Sequence, residues 1–459
     1  MLTTTGGPTT QGQPDPGLTG TRRERVGWYF YDWANSAFST TVVTVFLGPF
    51  LTAIAKNAAG CSTGSCDGVR LHPLGVPVAP GAYYAYLVSL SVILTVVVLP
   101  VVGAVADRSA RKKRLLAVFA YIGAAATVGM ATVEGGRYLL GGALFLVANI
   151  SLGASVVVYN SFLPQLAGPD RRDSLSSTGW AIGYLGGGLL LAGNLVAVLA
   201  AGTNLTVARW CIVSAGVWWA AFTTLPVLLL RERPGRAHTG AAAGGLWDGF
   251  RQLGRTLGEL RAFPLTLFFL AAYLIYNDGI QTVLSQASVF ATEELKLGTN
   301  TLTATILVIQ FLAFGGAVGL GWLAKRIGAW KAVALSLVLW VVVVAAAYVL
   351  PARNVPLFVA LGAGIGLVMG GSQALSRSLF SQLIPAGREA EYFGLYEIGD
   401  KGTSWLGPLL FGVVFQLTGS YRYGVISLLV FFVVGLVVLL AVPMRRAVVA
   451  AGNTPPRLL

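Results

Sequence analysis

Twelve stretches of this chain are each long and apolar enough to cross a bilayer: roughly 27–55, 81–106, 115–133, 138–166, 179–201, 208–231, 263–291, 301–324, 330–350, 355–384, 392–418 and 421–443. A spanning helix needs about 20 largely apolar residues. That repetition predicts an all-α membrane protein before any single residue is weighed. Composition agrees: hydrophobic residues make up 55% and charged residues 11%, against about 25% charged in an ordinary soluble domain. The mean hydropathy is +0.72. Such a chain cannot cover a water-facing surface, so the lipid bilayer is its first expected partner.

The net charge of +14 would suit nucleic acid, but the placement of the basic residues predicts a membrane topology instead. With an even number of spans both termini share a side. With that side inside, 23 of the 32 Lys and Arg fall in inside segments and 7 outside, while Arg377 and Lys401 lie within predicted helices. Lys and Arg collect in cytoplasmic loops, so both termini are expected in the cytoplasm of a multi-pass protein of the plasma (cell) membrane. No basic stripe is interleaved with aromatics, so no nucleic-acid partner is expected. Residues 1–25 are expected to form a disordered cytoplasmic tail, and 445–459 a C-terminal cytoplasmic tail. Between them lie bundles at 26–231 and 263–444, joined by a cytoplasmic linker at 232–262. In that linker Trp247, Phe250, Leu253 and Leu257 share one side of a short amphipathic helix.

The two bundles resemble each other. Gly103, Ala106 and Arg108 recur 218 positions later as Gly321, Ala324 and Arg326, and PQL at 164–166 matches SQL at 381–383. Near helices 1 and 7 the offset is 246, which aligns Asp32 with Asp278. Duplication of a six-helix unit is a common transporter plan.

The loop after helix 2 carries Gly103, Asp107, Arg108, Arg111 and Lys112. It resembles the signature loop of the major facilitator superfamily, with Ala110 where that family usually has Gly. The resemblance implies that Asp107 pairs with basic groups and ties the halves together in one state. A topogenic basic loop is the plainer alternative. YDWANSAF at 31–38, GYLGGGLLL at 183–191, YNDGIQT at 276–282 and the run at 370–397 narrow the likeness. These segments resemble the vacuole-effluxer-like (autophagy-related amino-acid effluxer) branch of that superfamily. The resemblance implies twelve transmembrane helices as two six-helix pseudo-symmetric bundles, the major facilitator fold. It also implies a secondary transporter, an exporter of a small polar or zwitterionic, amino-acid-like solute by alternating access.

The residues themselves say where function should lie. A charge within the hydrocarbon costs at least about 2.5–3.5 kcal/mol on insertion scales, so it faces protein or water. Asp278 lies fifteen residues into helix 7, about 22 Å along it at 1.5 Å per residue. It is a candidate for binding a proton or a substrate amine. Asp32, Arg377, Glu397, Asp400 and Lys401 all fall in the cytoplasmic third. Asp32 is a further substrate or proton candidate, and Arg377 with Glu397, Asp400 and Lys401 forms a candidate cytoplasmic gate. Arg377 is expected to pair with Glu397 or Asp400, with Asp32 as the option across the halves. Static structural pairing, such as Glu397 with Lys401 at i, i+4, is the alternative. Asn35, Asn160, Asn277, Gln281 and Gln373 extend the candidate binding surface along helices 1, 4, 7 and 10, which line the cavity in the superfamily fold. Interhelical hydrogen bonding is the plainer role for each.

Gly183, Gly186, Gly187 and Gly188 are expected to bring helix 5 close to helix 8, whose Gly315, Gly316 and Gly319 are also small. Cys61 and Cys66 share the first outside loop and could form a disulfide or remain free thiols. No Ser-His-Asp, HExxH or Cys-His set is present, so no catalytic residues, no metal site and no cofactor are expected, and the chain reads as no enzyme. A small-molecule solute is the expected cargo, protons are the candidate coupling ion, and a monomer is expected. Export of amphipathic, drug-like compounds remains the alternative within transport, and a polytopic membrane enzyme the alternative outside it.

Overall fold

The computed structural model describes residues 20–61, 69–78, 80, 83–109, 111–202, 204–232, 263–297, 299–389, 392–396, 406–418 and 420–459. The described residues are almost wholly helical. The first span, α1 (Arg22–Ala58), is followed by α2 (Tyr83–Arg108), α3 (Lys112–Gly129), α4 (Tyr138–Asn160, continued by Leu163–Leu166), α5 (Pro169–Ala201) and α6 (Leu205–Leu229). The second set comprises α7 (Pro264–Val289), α8 (Thr299–Ile327), α9 (Ala329–Val349), α10 (Val355–Gln382), α11 (Leu406–Thr418) and α12 (Tyr421–Ala441), and a short α13 (Met444–Ala450) follows. Eleven helices among the described residues are long and apolar enough to cross a membrane. The twelfth expected span, 392–418, is described only at 392–396 and in α11.

Local chemistry explains the helix limits. Glu24 accepts the Thr21 N–H at 2.7 Å, and Thr21 Oγ accepts the Glu24 N–H at 3.3 Å. This reciprocal cap satisfies two end donors that would otherwise be orphaned. The helix therefore begins at Arg22, within the stretch 1–25 expected as a disordered tail; residues 1–19 lie outside the described set. A π-helical turn, Phe38–Phe46, interrupts α1, and a second, Phe290–Glu294, extends α7. The C-terminal stretch is held to the bundle. Met444, Ala447, Val448 and Ala451 are buried, and Asn453 donates to the Gln382 and Ile384 carbonyls at 2.9 and 2.7 Å. Residues 445–459 are thus a tail packed against the bundle.

Gly20 donates to the Leu166 carbonyl at 3.0 Å, and Arg457 N–H donates to Asp170 at 2.8 Å. Both ends of the described chain therefore lie on one face, the terminal face. The opposite face, carrying the loop of Cys61, is the loop face. Cys61 is disulfide-bonded, Cys211 is a buried free thiol, and Cys66 lies outside the described residues. The linker at 233–262 and its expected amphipathic helix are likewise outside them.

Helix packing corrects the reading of the glycines. A Cβ on Gly183 would meet Ser36 Oγ at 2.7 Å, one on Gly186 the Trp33 carbonyl at 2.8 Å, and one on Gly187 the Thr40 hydroxyl at 2.7 Å. All three face α1 in the same half; α5 does pack against α8 as expected, but there Gly321 of α8 lies against Ser177 of α5. Of the four, Gly188 is the one directed at α8, where an added Cβ would lie 3.6 Å from Gln310. Gly316 lets α8 touch the backbone of α10 at Leu367, while Gly315 and Gly319 face open space. Small residues let membrane helices approach closely, and the close approach here holds α1 rigidly against α5.

Candidate functional site

Polar side chains gather where α1, α4, α5 and α10 converge near the terminal face. The α1–α5 glycine contact sets the site, because Gly179 lies against Trp28 and Asp32: a Cβ there would be 2.7 Å from the carboxylate. Asp32 accepts the Tyr159 hydroxyl of α4 at 2.6 Å. Trp28 donates to the Tyr159 carbonyl at 3.1 Å and stacks on its ring at 4.5 Å. The result is a walled pocket in the first half.

Arg377 enters that pocket from α10 in the second half. Its Nε donates to Ser176 Oγ at 2.8 Å and one terminal nitrogen donates to the Ser176 carbonyl at 2.9 Å. The other terminal nitrogen donates to Asn160 Oδ1 at 3.3 Å, and both reach Asp32 Oδ2 at 3.5 Å. Its guanidinium carbon lies 5.0 Å from the Trp28 ring, 5.3 Å from Trp180 and 5.8 Å from Tyr159. Arginine suits this place because its planar fork donates in several directions at once while its face stacks on aromatic rings. A buried charge demands such compensation.

The acid that Arg377 meets among the described residues is therefore Asp32, the option across the halves. Glu397, Asp400 and Lys401 lie outside the described residues. Asn160, which the internal repeat aligns with Arg377, touches it. Asn35 donates to the Tyr31 carbonyl at 2.9 Å within its own helix. Gln373 accepts the Tyr184 hydroxyl at 2.8 Å, which adds another contact between the halves.

Asp278 forms a separate site. It is buried, and its Oδ2 accepts the Gly407 N–H of α11 at 2.9 Å. Its Oδ1 has no hydrogen-bond partner among the described residues. Asn277 is buried beside it and Gln281 is half-buried one turn on. The Asp32 and Asp278 positions, equivalent in the repeat, thus serve different neighbours.

Around Arg377 runs a ladder of contacts that the sequence did not reveal. Arg172 donates to the Ser381 carbonyl at 2.9 Å, Ser378 donates to Asp173 at 2.5 Å, and Ser176 donates to the Ala374 carbonyl at 2.7 Å. In the signature loop Lys112 pairs with Asp107 at 2.8 Å and reaches Glu389 of the other half at 3.9 Å. Gly103 is buried, and Arg111 is exposed at the turn into α3. Arg172, Asp173 and Ser176 escaped notice because the apolar run begins only near 179, while α5 begins at Pro169.

Helices packed across a polar seam give this chain the architecture of the major facilitator fold. Among solved structures the fold is similar to the human organic anion transporter MFSD10 (TETRAN), with TM-score 0.64, 18% identity, and 93% of this chain and 100% of that chain covered. It is also similar to a bacterial homologue of the iron transporter ferroportin in an outward-facing state, at TM-score 0.63 and 14% identity, covering 91% and 98%.

The sequence profile described as "Vacuole effluxer Atg22 like" matches residues 20–452, and the chain belongs to that family. An MFS-type transporter of Bacillus subtilis, YxiO, is 29% identical over 428 residues, covering 92% of this chain and 95% of the relative. Autophagy-related protein 22-1 of Penicillium rubens is 28% identical over 535 residues, covering 93% and 90%.

Proposed function

We propose that this chain exports a small zwitterionic, amino-acid-like solute by alternating access, with the terminal face in the cytoplasm. The observation that carries the reading is Arg377 of one half seated in a pocket of the other. An interaction of that kind exists only while the terminal face is closed, so it biases one state of a two-state cycle. Arg377 with Asp32 is then the cytoplasmic gate, and the Lys112–Glu389 contact supports it at the rim.

Asp278 is the proposed proton or amine site. A carboxylate oxygen left unpartnered in a buried place is costly, and a proton or a solute ammonium would satisfy it. Opposite charges on facing helices suit a zwitterion, and the effluxer family supports the direction. The bias of basic residues supports cytoplasmic termini. The family description names a vacuole, which gives the plasma membrane no support, so the proposal is confined to orientation.

The test is transport by the purified protein in proteoliposomes, with a pooled set of labelled amino acids, with and without a pH gradient. Gradient-dependent movement of one or more amino acids is the expected result. Movement of none of them, in vesicles shown to contain folded protein, overturns the proposal.

A further inference from the structure

Among the described residues, the pocket that receives Arg377 is built by the other half. Trp28 and Asp32 come from α1, Tyr159 and Asn160 from α4, Ser176 and Trp180 from α5. Three aromatic faces, a carboxylate and three neutral oxygen acceptors make a site for a planar cation in its own right. The cation that fills it is lent by α10. When the halves part at the terminal face, Arg377 leaves with its helix. Asp32 keeps the Tyr159 hydroxyl at 2.6 Å but loses its only cation among the described residues. The pocket walls persist, because Gly179, Gly183, Gly186 and Gly187 fix α1 against α5 independently of α10.

We infer that this vacated pocket is the loading subsite for the cationic end of the transported solute. The solute class is a basic amino acid, and L-arginine carries the very head group the pocket is built around. The inference rests on the alternating-access reading above. Solute and Arg377 then compete for one place. A guanidinium held in the pocket keeps the terminal face open, and closure requires the solute to move on toward the centre as Arg377 takes its seat. The solute's own carboxylate is left free for Arg377 to meet during that exchange.

L-Citrulline tests the charge, since its ureido group matches the shape of a guanidinium without the cation. The protein is studied at full length in nanodiscs by calorimetry and by nitroxide distances across the terminal face. In Arg377→Ala, L-arginine should bind about tenfold or more tightly than to wild type, the scale of a desolvated cation–aromatic contact. L-Citrulline should show no such gain, and Asp32→Asn in the same background should erase the difference between the two. In wild type, L-arginine but not L-citrulline should lengthen the nitroxide distances. This second measurement stands even if Arg377→Ala fails to fold. Equal responses to the two compounds overturn the inference, as does discrimination that survives Asp32→Asn. Transport of neutral amino acids with no preference for L-arginine sinks the subsite and leaves the proposed function standing; transport of no amino acid sinks the function itself.

Discussion

Arg377→Ala should swing the protein toward the state open at the terminal face. The closed state holds the guanidinium by two short hydrogen bonds to Ser176, one at 3.3 Å to Asn160, and an ion pair at 3.5 Å to Asp32. Breaking a buried pair by removing one partner costs about 3–5 kcal/mol. The Asp32 contact is long, and Asp32 keeps the 2.6 Å bond from Tyr159, so the lower end, about 3 kcal/mol, applies. At about 1.4 kcal/mol per factor of ten, the ratio of closed to open falls by about a hundredfold. A protein that is about ten parts closed to one open becomes mostly open. Nitroxides at the exposed positions Arg171 and Ala386, in a background lacking Cys211, read the separation directly. Arg377→Lys keeps the charge but loses the fork, so it should fall between the two. If the distance distributions of Arg377→Ala and wild type coincide, the residue is a static structural ion and the gate reasoning is wrong.

Asp278→Asn should abolish gradient-driven transport while shifting stability by less than about 1 kcal/mol, because an amide oxygen can still accept the Gly407 N–H; undiminished gradient-driven uptake would contradict the proton role. Gly186→Val should lower stability by about 1–3 kcal/mol through overpacking, since its Cβ would lie 2.8 Å from the Trp33 carbonyl, whereas Gly315→Val, with nothing within 4 Å, should not. Thermal unfolding in detergent compares the pair, and equal melting temperatures would refute the α1–α5 contact. Leu74→Cys, 95% exposed on the loop face, should react with an impermeant maleimide in intact cells, and Arg457→Cys on the terminal face only after permeabilisation. The reverse pattern would invert the topology.

Hydropathy made the spans legible because lipid imposes one requirement everywhere: an unbroken apolar helix about 30 Å long. Charge inside the membrane made Asp32, Asp278 and Arg377 legible for the same reason, since lipid tolerates no idle charge. Pairing was less legible. The repeat aligned Asn160 with Arg377, yet nothing in the sequence said that the two would touch. The first turns of α5 were lost because Asp170 to Ser177 look like a loop to any scale that rewards apolarity, although Pro169 at the helix start and Asp170 in the first turn are good helix-opening chemistry. The glycines of α5 announced close packing but not the partner, because a glycine shows that something approaches and not what.

The seam between α5 and α10 explains how such an interface can both hold and release. On α10 the partners are Gln373, Ala374, Arg377, Ser378 and Ser381, spaced by threes and fours, so they share one face of the helix. On α5 their partners run the other way, from Tyr184 through Ser176 and Asp173 to Arg172, as two antiparallel helices require. Each such hydrogen bond contributes only about 0.5–1.5 kcal/mol net, because water replaces it when the seam opens. The contact of α1 with α5 is different. It is packed through glycine and tryptophan, with Gly179 set against the Trp28 ring and Gly186 against Trp33, and opening it would leave gaps that water does not fill. Polar seams that trade partners with water, set between blocks locked by close packing, are what lets two halves move as units. Arg377 sits at the centre of the seam, so on the proposed cycle its pocket loses a buried cation when the seam opens.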